Sequence, residues 1–190
     1  MYHVARDKSW PTREKQRVRR APKPERGGYI EADTVETIVH GMRRYTISFI
    51  DVKLKIVYSQ TYTNKQAKNT LTSFLEFEKL FPIPIHTIQT DNGSEFMGEF
   101  NIFLQRERKH IKRMFTYPNC PKINGVIERY NRTLQEEWMN QYQYLFLEEN
   151  MGNGELKEYL HYYNHKRVHQ TLQYQTPMQV ARKAKSLICV

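Results

Sequence analysis

The sequence predicts an α/β domain in which a five-stranded mixed sheet is flanked by helices. Three observations point there. The 190 residues, 39% hydrophobic and 26% charged, suit one compact domain with a sizeable core. From Tyr29 onward, short strand-like runs alternate with helical patterns. No repeat of fixed period interrupts them.

The elements follow in order. Tyr29–Val35 reads as a first strand, then Arg44–Ile50 and Lys55–Tyr62 as two more, joined by a turn around Asp51-Val52-Lys53. Three strands with no helix between them form an antiparallel meander. Thr63 and Gln66 are spaced as a capping box, and Ala67, Leu71, Phe74, Leu75 and Glu78 follow at helical spacing until Phe81-Pro82 stops the helix. His86–Asp91 is a fourth strand, Glu95–Lys109 a second helix and Ile111–Tyr117 a fifth strand, before a break at Pro118-Asn119-Cys120-Pro121. A long helix begins at about Asn124, with Ile127, Tyr130, Leu134 and Trp138 on one stripe. Thr176-Pro177 fits an N-cap followed by proline at the first helical position.

Composition narrows the chemistry. Thirty Lys and Arg against twenty Asp and Glu give a formal charge of +10, so the molecule attracts polyanions. Residues 1–27 hold nine of the bases and three of the acids. With Arg17, Arg19 and Arg20 ahead of Pro22 and Pro24, and Gly27-Gly28 at its end, this segment reads as an extended, flexible arm, either a solubilising tail or a nucleic-acid-binding one. The expected organisation is a basic arm over 1–28, a core domain over 29–150 and a C-terminal helical extension of it over 151–190. Cys120 and Cys189 are too few for a disulfide framework. No run approaches the roughly 18 apolar residues of a membrane span, and residues 1–7 lack the apolar core of a signal peptide. The expectation is a cytoplasmic protein, nucleoid-associated when on DNA, with no membrane partner.

Three carboxylates sharpen the reading. Three strands, a helix, a strand, a helix, a strand and a long helix is the order of the ribonuclease-H-like fold. In that layout Asp33 sits within the first strand, Asp91 ends the fourth, its neighbour in the sheet, and Glu128 opens the long helix. Phosphodiester chemistry needs hard oxygen ligands for Mg²⁺ or Mn²⁺, and two such ions about 3.5–4 Å apart serve both the attacking and the leaving oxygen. Taken singly, each acid has a plainer role. Asp91-Asn92-Gly93 is a turn signal, and Glu128 suits the first turn of a helix. Asp33 shares its strand face with Glu31, so either could face the site. Asp51 also follows a strand, but its turn position favours side-chain-to-backbone bonding that asparagine could reproduce. His161, His165 and His169 recur at helical spacing without cysteine or carboxylate partners, which favours packing over zinc, and Cys120 lacks the partners of a nucleophile. Eight bases, Arg106, Arg108, Lys109, Lys112, Arg113, Lys122, Arg129 and Arg132, crowd a segment whose only acids are Glu107 and Glu128. Arg132 lies one turn beyond Glu128, so phosphate contact by Arg132, and by Arg129 and Lys122, is expected.

The strings around these acids resemble the integrase catalytic core of D-D-E transposases and retroviral-type integrases, particularly insertion-sequence transposases of bacteria and archaea. Glu31-Ala32-Asp33-Thr34-Val35 is similar to the first-aspartate strand, and Thr90-Asp91-Asn92-Gly93-Ser94-Glu95-Phe96 to the second-aspartate motif. Pro121–Arg132 resembles the helix carrying the glutamate, and Tyr163–Leu172 with Thr176-Pro177 resembles the C-terminal segment. Between Asp91 and Glu128 stand 36 residues, one more than the family's usual spacing, which one loop residue accommodates, and Val168 replaces a common proline. The resemblance implies DNA strand transfer by Asp33, Asp91 and Glu128 holding two Mg²⁺ or Mn²⁺ ions, with element ends and target DNA as substrates and a homo-oligomer as the working form. A metal-dependent nuclease or resolvase-like enzyme, or an inactive DNA-binding remnant, are the alternatives. About 28 residues precede the first strand, too few for the helix-turn-helix that usually reads element ends.

Overall fold

Strand β2, Tyr29–Val39, is the hinge of the architecture. Its residues alternate between the two faces of the sheet, so Ile30 and Ala32 point one way and Glu31 and Asp33 the other. In the computed structural model, which describes residues 16–18, 20–116, 121–148 and 150–188, β2 pairs antiparallel with β3, Met42–Asp51, and β3 with β4, Val57–Tyr62. On its other side β2 runs parallel to β5, Thr87–Thr90, and β5 to β6, Lys112–Thr116. The expected meander and crossover strands are therefore present.

The sheet has six strands rather than five. Arg17 and Val18 form β1, parallel to β6, with Arg17 opposite Phe115 and Val18 opposite Thr116, so the order is β1-β6-β5-β2-β3-β4. The basic arm is extended as expected, but this part of it is a sheet edge and not a flexible linker. An open strand edge recruits any chain that can satisfy its hydrogen bonds, and the Phe115 N–H donates to the Gln16 carbonyl at 2.9 Å.

Two apolar layers cover the sheet. On the face of Ile30 and Ala32 lie α1, Ala67–Leu80, and α2, Gly98–Glu107, joined by a chain of aromatic contacts through Phe49, Phe74, Phe77 and Phe100. Ala181 of α5, Pro177–Ile188, closes this layer. On the face of Glu31 and Asp33 lies α3, Gly125–Leu134, which continues as a π-helical turn through Met139. Its stripe of Ile127, Tyr130, Leu134 and Trp138 is buried as the periodicity predicts, against Leu156, Leu160 and Tyr163 of α4, Asn153–His165.

Two capping expectations meet different outcomes. Helix α1 starts after Gln66 with no side-chain cap, so the Thr63–Gln66 box does not form. At α5 the box is real: Thr176 Oγ1 accepts from the Gln179 N–H at 3.3 Å, and Gln179 Oε1 accepts from the Thr176 N–H at 2.9 Å. Helix α4 does something no periodicity announces. Asn153 and Asn164 each accept a strand N–H and donate to a strand carbonyl, at Thr61 and Val57, all within 2.9–3.0 Å. Their amides cover the free edge of β4 as a neighbouring strand would.

Candidate active site

The register of β2 and β5 brings the two aspartates to one place. Glu31 pairs with Gln89 across parallel strands, and the same alternation carried two residues on directs Asp33, and Asp91 just past the end of β5, toward one face, near enough for the Asp91 charge to act on Asp33. Helix α3 crosses that face, held by two buried polar side chains. Glu31, wholly buried, accepts the Ile127 N–H at 2.9 Å, and Gln89 donates to Asn124 Oδ1 at 2.6 Å. A helix start carries unpaired N–H groups and positive potential, which a buried carboxylate satisfies. Glu128 follows Ile127, exposed on the first turn, and Arg129 and Arg132 are exposed on the same helix.

Both carboxylates of the first strand therefore face α3, and their roles divide. Glu31 anchors the helix. Asp33, only half-buried, accepts from Asn131 Nδ2 at 2.9 Å. Asn131 is a site residue that sequence reading passes over; its signal is its place one turn past Ile127 on the buried stripe. Asp91 bends its own backbone, accepting the Gly93 N–H at 2.8 Å, so the turn signal and the site position coexist. Glu95, 5% exposed, is a second residue passed over: its Oε2 has no partner and lies 2.6 Å from where a side chain at Gly93 would begin. A side chain at position 93 would have to displace the Glu95 carboxylate.

These acids repel one another. Burial first, then the charges of Asp91, Glu128 and Glu95, push the Asp33 carboxyl up to about 6. Glu31 is pushed up to about 7, mainly by burial, with Glu128 adding to it. Hard oxygen gathered here, with Glu31 Oε1, Glu95 Oε2 and Asn131 Oδ1 unpartnered, fits a divalent cation. Among the described residues, however, no three acidic, histidine or cysteine side chains converge into a closed metal shell. The histidines pack as expected: His161 stacks on His165 with ring centroids 4.6 Å apart, and His169 meets the Tyr163 ring edge-on at 4.8 Å.

The basic cluster does not stay together. Arg108 forms a two-pronged ion pair with Glu78 at 2.8 and 2.9 Å. Arg113 turns inward between Phe100 and Phe115, donating to Thr90 Oγ1 and the Phe96 carbonyl, where its charge faces Asp91. Arg129 and Arg132 remain beside Glu128. In the arm, Arg17 lies across β6 from Thr90 through Phe115, at the same end of the sheet as Asp91, and Arg20 is exposed nearby in sequence. Arg19, Cys120, Cys189 and the side chain of Lys122 lie outside the described residues.

Glu31 supplies a measurable consequence. Its pKa is higher in the folded chain than the ordinary glutamate value, so the native state holds the extra proton and loses stability as pH rises toward 7. Glu31→Gln keeps the acceptor for Ile127 without the charge. Relative to the parent, its stability should grow by ~2 kcal/mol between pH 5 and pH 7.5 and then level off. Thermal melts of the two proteins across that range check this, and a difference that does not change with pH would contradict it.

The integrase core domain family model matches residues 109–177, a span containing α3 and Glu128. The ORF3 product of Spiroplasma virus SpV1-C74, named as a candidate integrase, is 30% identical over 154 residues, covering 70% of this chain and 40% of that protein. The retrovirus-related Pol polyprotein from transposon RE1 of Arabidopsis thaliana is 30% identical over 114 residues, 57% of this chain and 7% of its own length. The chain thus spans less than half the length of these relatives. Among solved structures, the HTLV-2 integrase catalytic core domain, in complex with magnesium, superposes with a TM-score of 0.63 at 21% identity, covering 85% of this chain and 99% of that one. The simian T-cell lymphotropic virus intasome matches with a TM-score of 0.67 at 19% identity, over 88% of this chain and 58% of that one. The matched segment and these relatives support an integrase or transposase catalytic core, and the six-stranded sheet has the fold of the retroviral integrase cores.

Proposed function

We propose that this chain is the strand-transfer core of a transposase or integrase, with Asp33, Asp91 and Glu128 as its catalytic acids. The observation that carries this reading is the parallel register of β2 and β5, which aligns two aspartates beneath the helix that bears Glu128. The crowding that raises the Asp33 carboxyl supports it, because a divalent cation would relieve it. The magnesium held by the HTLV-2 core supports the same choice of ion.

In this reading Asp33, Asp91 and Glu128 hold two Mg²⁺ or Mn²⁺ ions, which when bound supply charge neutralisation at the attacking and leaving oxygens. Asn131 fixes the orientation of Asp33, and Arg113 offsets the charge of Asp91 from beneath. The first step bonds a water oxygen to phosphorus at an element end as the bond to the 3′-oxygen breaks, and that oxygen leaves as a hydroxyl. The second bonds this hydroxyl's oxygen to a target phosphorus as the bond to the target's own 3′-oxygen breaks; the attacking hydroxyl gives up its proton and the departing 3′-oxygen takes one up, through solvent, to leave as a hydroxyl. No covalent bond to the protein forms. Arg129, Arg132 and Lys122 on the α3 side, and Arg17, Arg19 and Arg20 of the arm, hold phosphates of element and target DNA, which sets affinity and salt dependence rather than sequence preference. A homo-oligomer on DNA is the working form, in the cytoplasm and on the nucleoid.

The test is a pre-cut donor end incubated with labelled target DNA and Mg²⁺. Joined strands longer than the donor are expected. Cut target with no joined strand, from a preparation that consumes DNA, would assign the chain to the nucleases instead, since water is then its only nucleophile.

A further inference from the structure

Asp33 lies within β2, paired with Ser48 of β3, but Asp91 stands one residue past the end of β5, where a loop runs on into the 3₁₀ turn Ser94–Phe96. A strand fixes its side chains more firmly than a loop does, so a site that uses Asp91 needs the loop held. The loop also carries two like charges into one small space. Glu95 Oε2 and Asp91 Oδ1 stand 2.6 and 3.0 Å from where a side chain at Gly93 would begin. Their repulsion works to spread the loop.

Arg113 closes this loop from β6. Its Nη2 donates to Thr90 Oγ1 at 3.1 Å and to the Phe96 carbonyl at 2.8 Å, the residues just before Asp91 and just after Glu95. Thr90 Oγ1 passes the contact on, donating to the Asp91 carbonyl at 2.7 Å. Thr90 and Phe96 are both wholly buried, and the guanidinium carbon lies over the Phe100 and Phe115 rings at 5.1 and 4.8 Å, which confine the fork. For packing alone, arginine is a poor choice here. Its Nε and Nη1 are buried with no hydrogen-bond partner among the described residues. Burial pulls the guanidinium down to about 9, against the opposing pull of the Asp91 charge. A methionine would fill the space beside the two rings without that cost.

We propose that Arg113 is a positioning residue: by bridging the two ends of the loop over 91–95 it holds Asp91 toward Asp33 for a divalent ion. This rests on the reading of Asp91 as a metal ligand given above. Groups that orient a metal ligand from behind set metal affinity without touching the ion. Charge alone would act in the opposite direction, because a cation beneath Asp91 repels a second cation. The sign of the change on removing Arg113 therefore separates holding from charge.

Calorimetric titration of the full chain with Mn²⁺, in the absence of DNA, measures that sign. Arg113→Met, which keeps a long apolar stem beside the rings, should bind Mn²⁺ about tenfold more weakly than the parent. Thr90→Val breaks the relay to the Asp91 carbonyl while leaving the charge in place, and should weaken binding about threefold. Thermal melts establish that each variant folds. Mn²⁺ binding by folded Arg113→Met that equals or exceeds the parent's would overturn the proposal, leaving the arginine to packing and charge. Should Arg113→Met not fold, unchanged binding by Thr90→Val would overturn it equally. Asp91→Asn is the control for the reading beneath. Weakened binding in Asp91→Asn with parental binding in Arg113→Met would remove the positioning role alone; parental binding in Asp91→Asn, or no binding by the parent, would remove the metal-ligand assignment with it.

Discussion

Glu128→Gln should lower Mg²⁺-dependent joining and cleavage by about three orders of magnitude or more while the protein melts within ~2 °C of the parent. The argument starts from position. Glu128 is exposed on the first turn of α3, so its side chain carries none of the packing that Ile127 and Tyr130 provide on either side. Glutamine keeps its volume and removes its charge. That charge acts on its surroundings, since it contributes to the raised carboxyls of both Asp33 and Glu31. Removing it relaxes the repulsion among the acids and takes one anionic ligand from any cation they share. Duplex DNA affinity, measured alongside, should hold or rise slightly, because a negative charge has left a surface that also presents Arg129 and Arg132. Joining at near-parental rates by a folded Glu128→Gln protein would show that the third catalytic carboxylate is another residue, with Glu95 the first to try.

Asp51→Asn should instead cost stability, by ~2–4 kcal/mol, with melting lower by roughly 5–15 °C. Here the structure overturns the expectation that asparagine could take over a simple turn bond. Asp51 is wholly buried and uses both oxygens: Oδ1 accepts the N–H groups of Lys53 and Leu54, and Oδ2 accepts that of Gly28 at 2.6 Å. Asparagine has a single acceptor oxygen, so its amide nitrogen must face either the Gly28 N–H or the Lys53 and Leu54 pair. A buried donor would then meet a donor. Gly28 sits at φ of 102° just before β2, so the bond also fixes the backbone that delivers Glu31 and Asp33. Chemical denaturation and thermal melts measure the loss, and joining activity per folded molecule should be retained at low temperature. A melting point within 2 °C of the parent would show that the third hydrogen bond is of no consequence.

These two residues also mark where sequence reading succeeds and where it stops. Glu128 was legible because it stands inside an extended string at the start of a helix whose apolar stripe has an unmistakable period. The same local signals located β2 to β6, α1 to α3 and the proline-started α5, and the alternation of β2 put Glu31 and Asp33 on one face. Everything decided by partners far along the chain was not legible. Asp51 looked like a turn residue because Lys53 and Leu54 are its neighbours; Gly28, which makes it structural, is 23 positions away. Glu31 and Asp33 were equivalent until Ile127 and Asn131, 96 and 98 positions distant, gave each a different bond. The crowded bases of 106–132 formed one cluster in sequence, but two of them were drawn elsewhere, Arg108 by Glu78 and Arg113 by the aromatic gap beside Phe100.

Sequence by itself determined the order of strands and helices, the placing of the three acids on them and the excess of positive charge, because each is written in residue type and spacing. Tertiary structure alone decided that the arm supplies a sixth strand, that two asparagines of α4 close the β4 edge, and that one nitrogen of Arg113 bridges Thr90 and Phe96. The physical reason is common to these. A backbone edge or a buried polar side chain must be satisfied by whatever polar group the packing brings within hydrogen-bonding distance, and neither periodicity nor local propensity says which distant residue that will be.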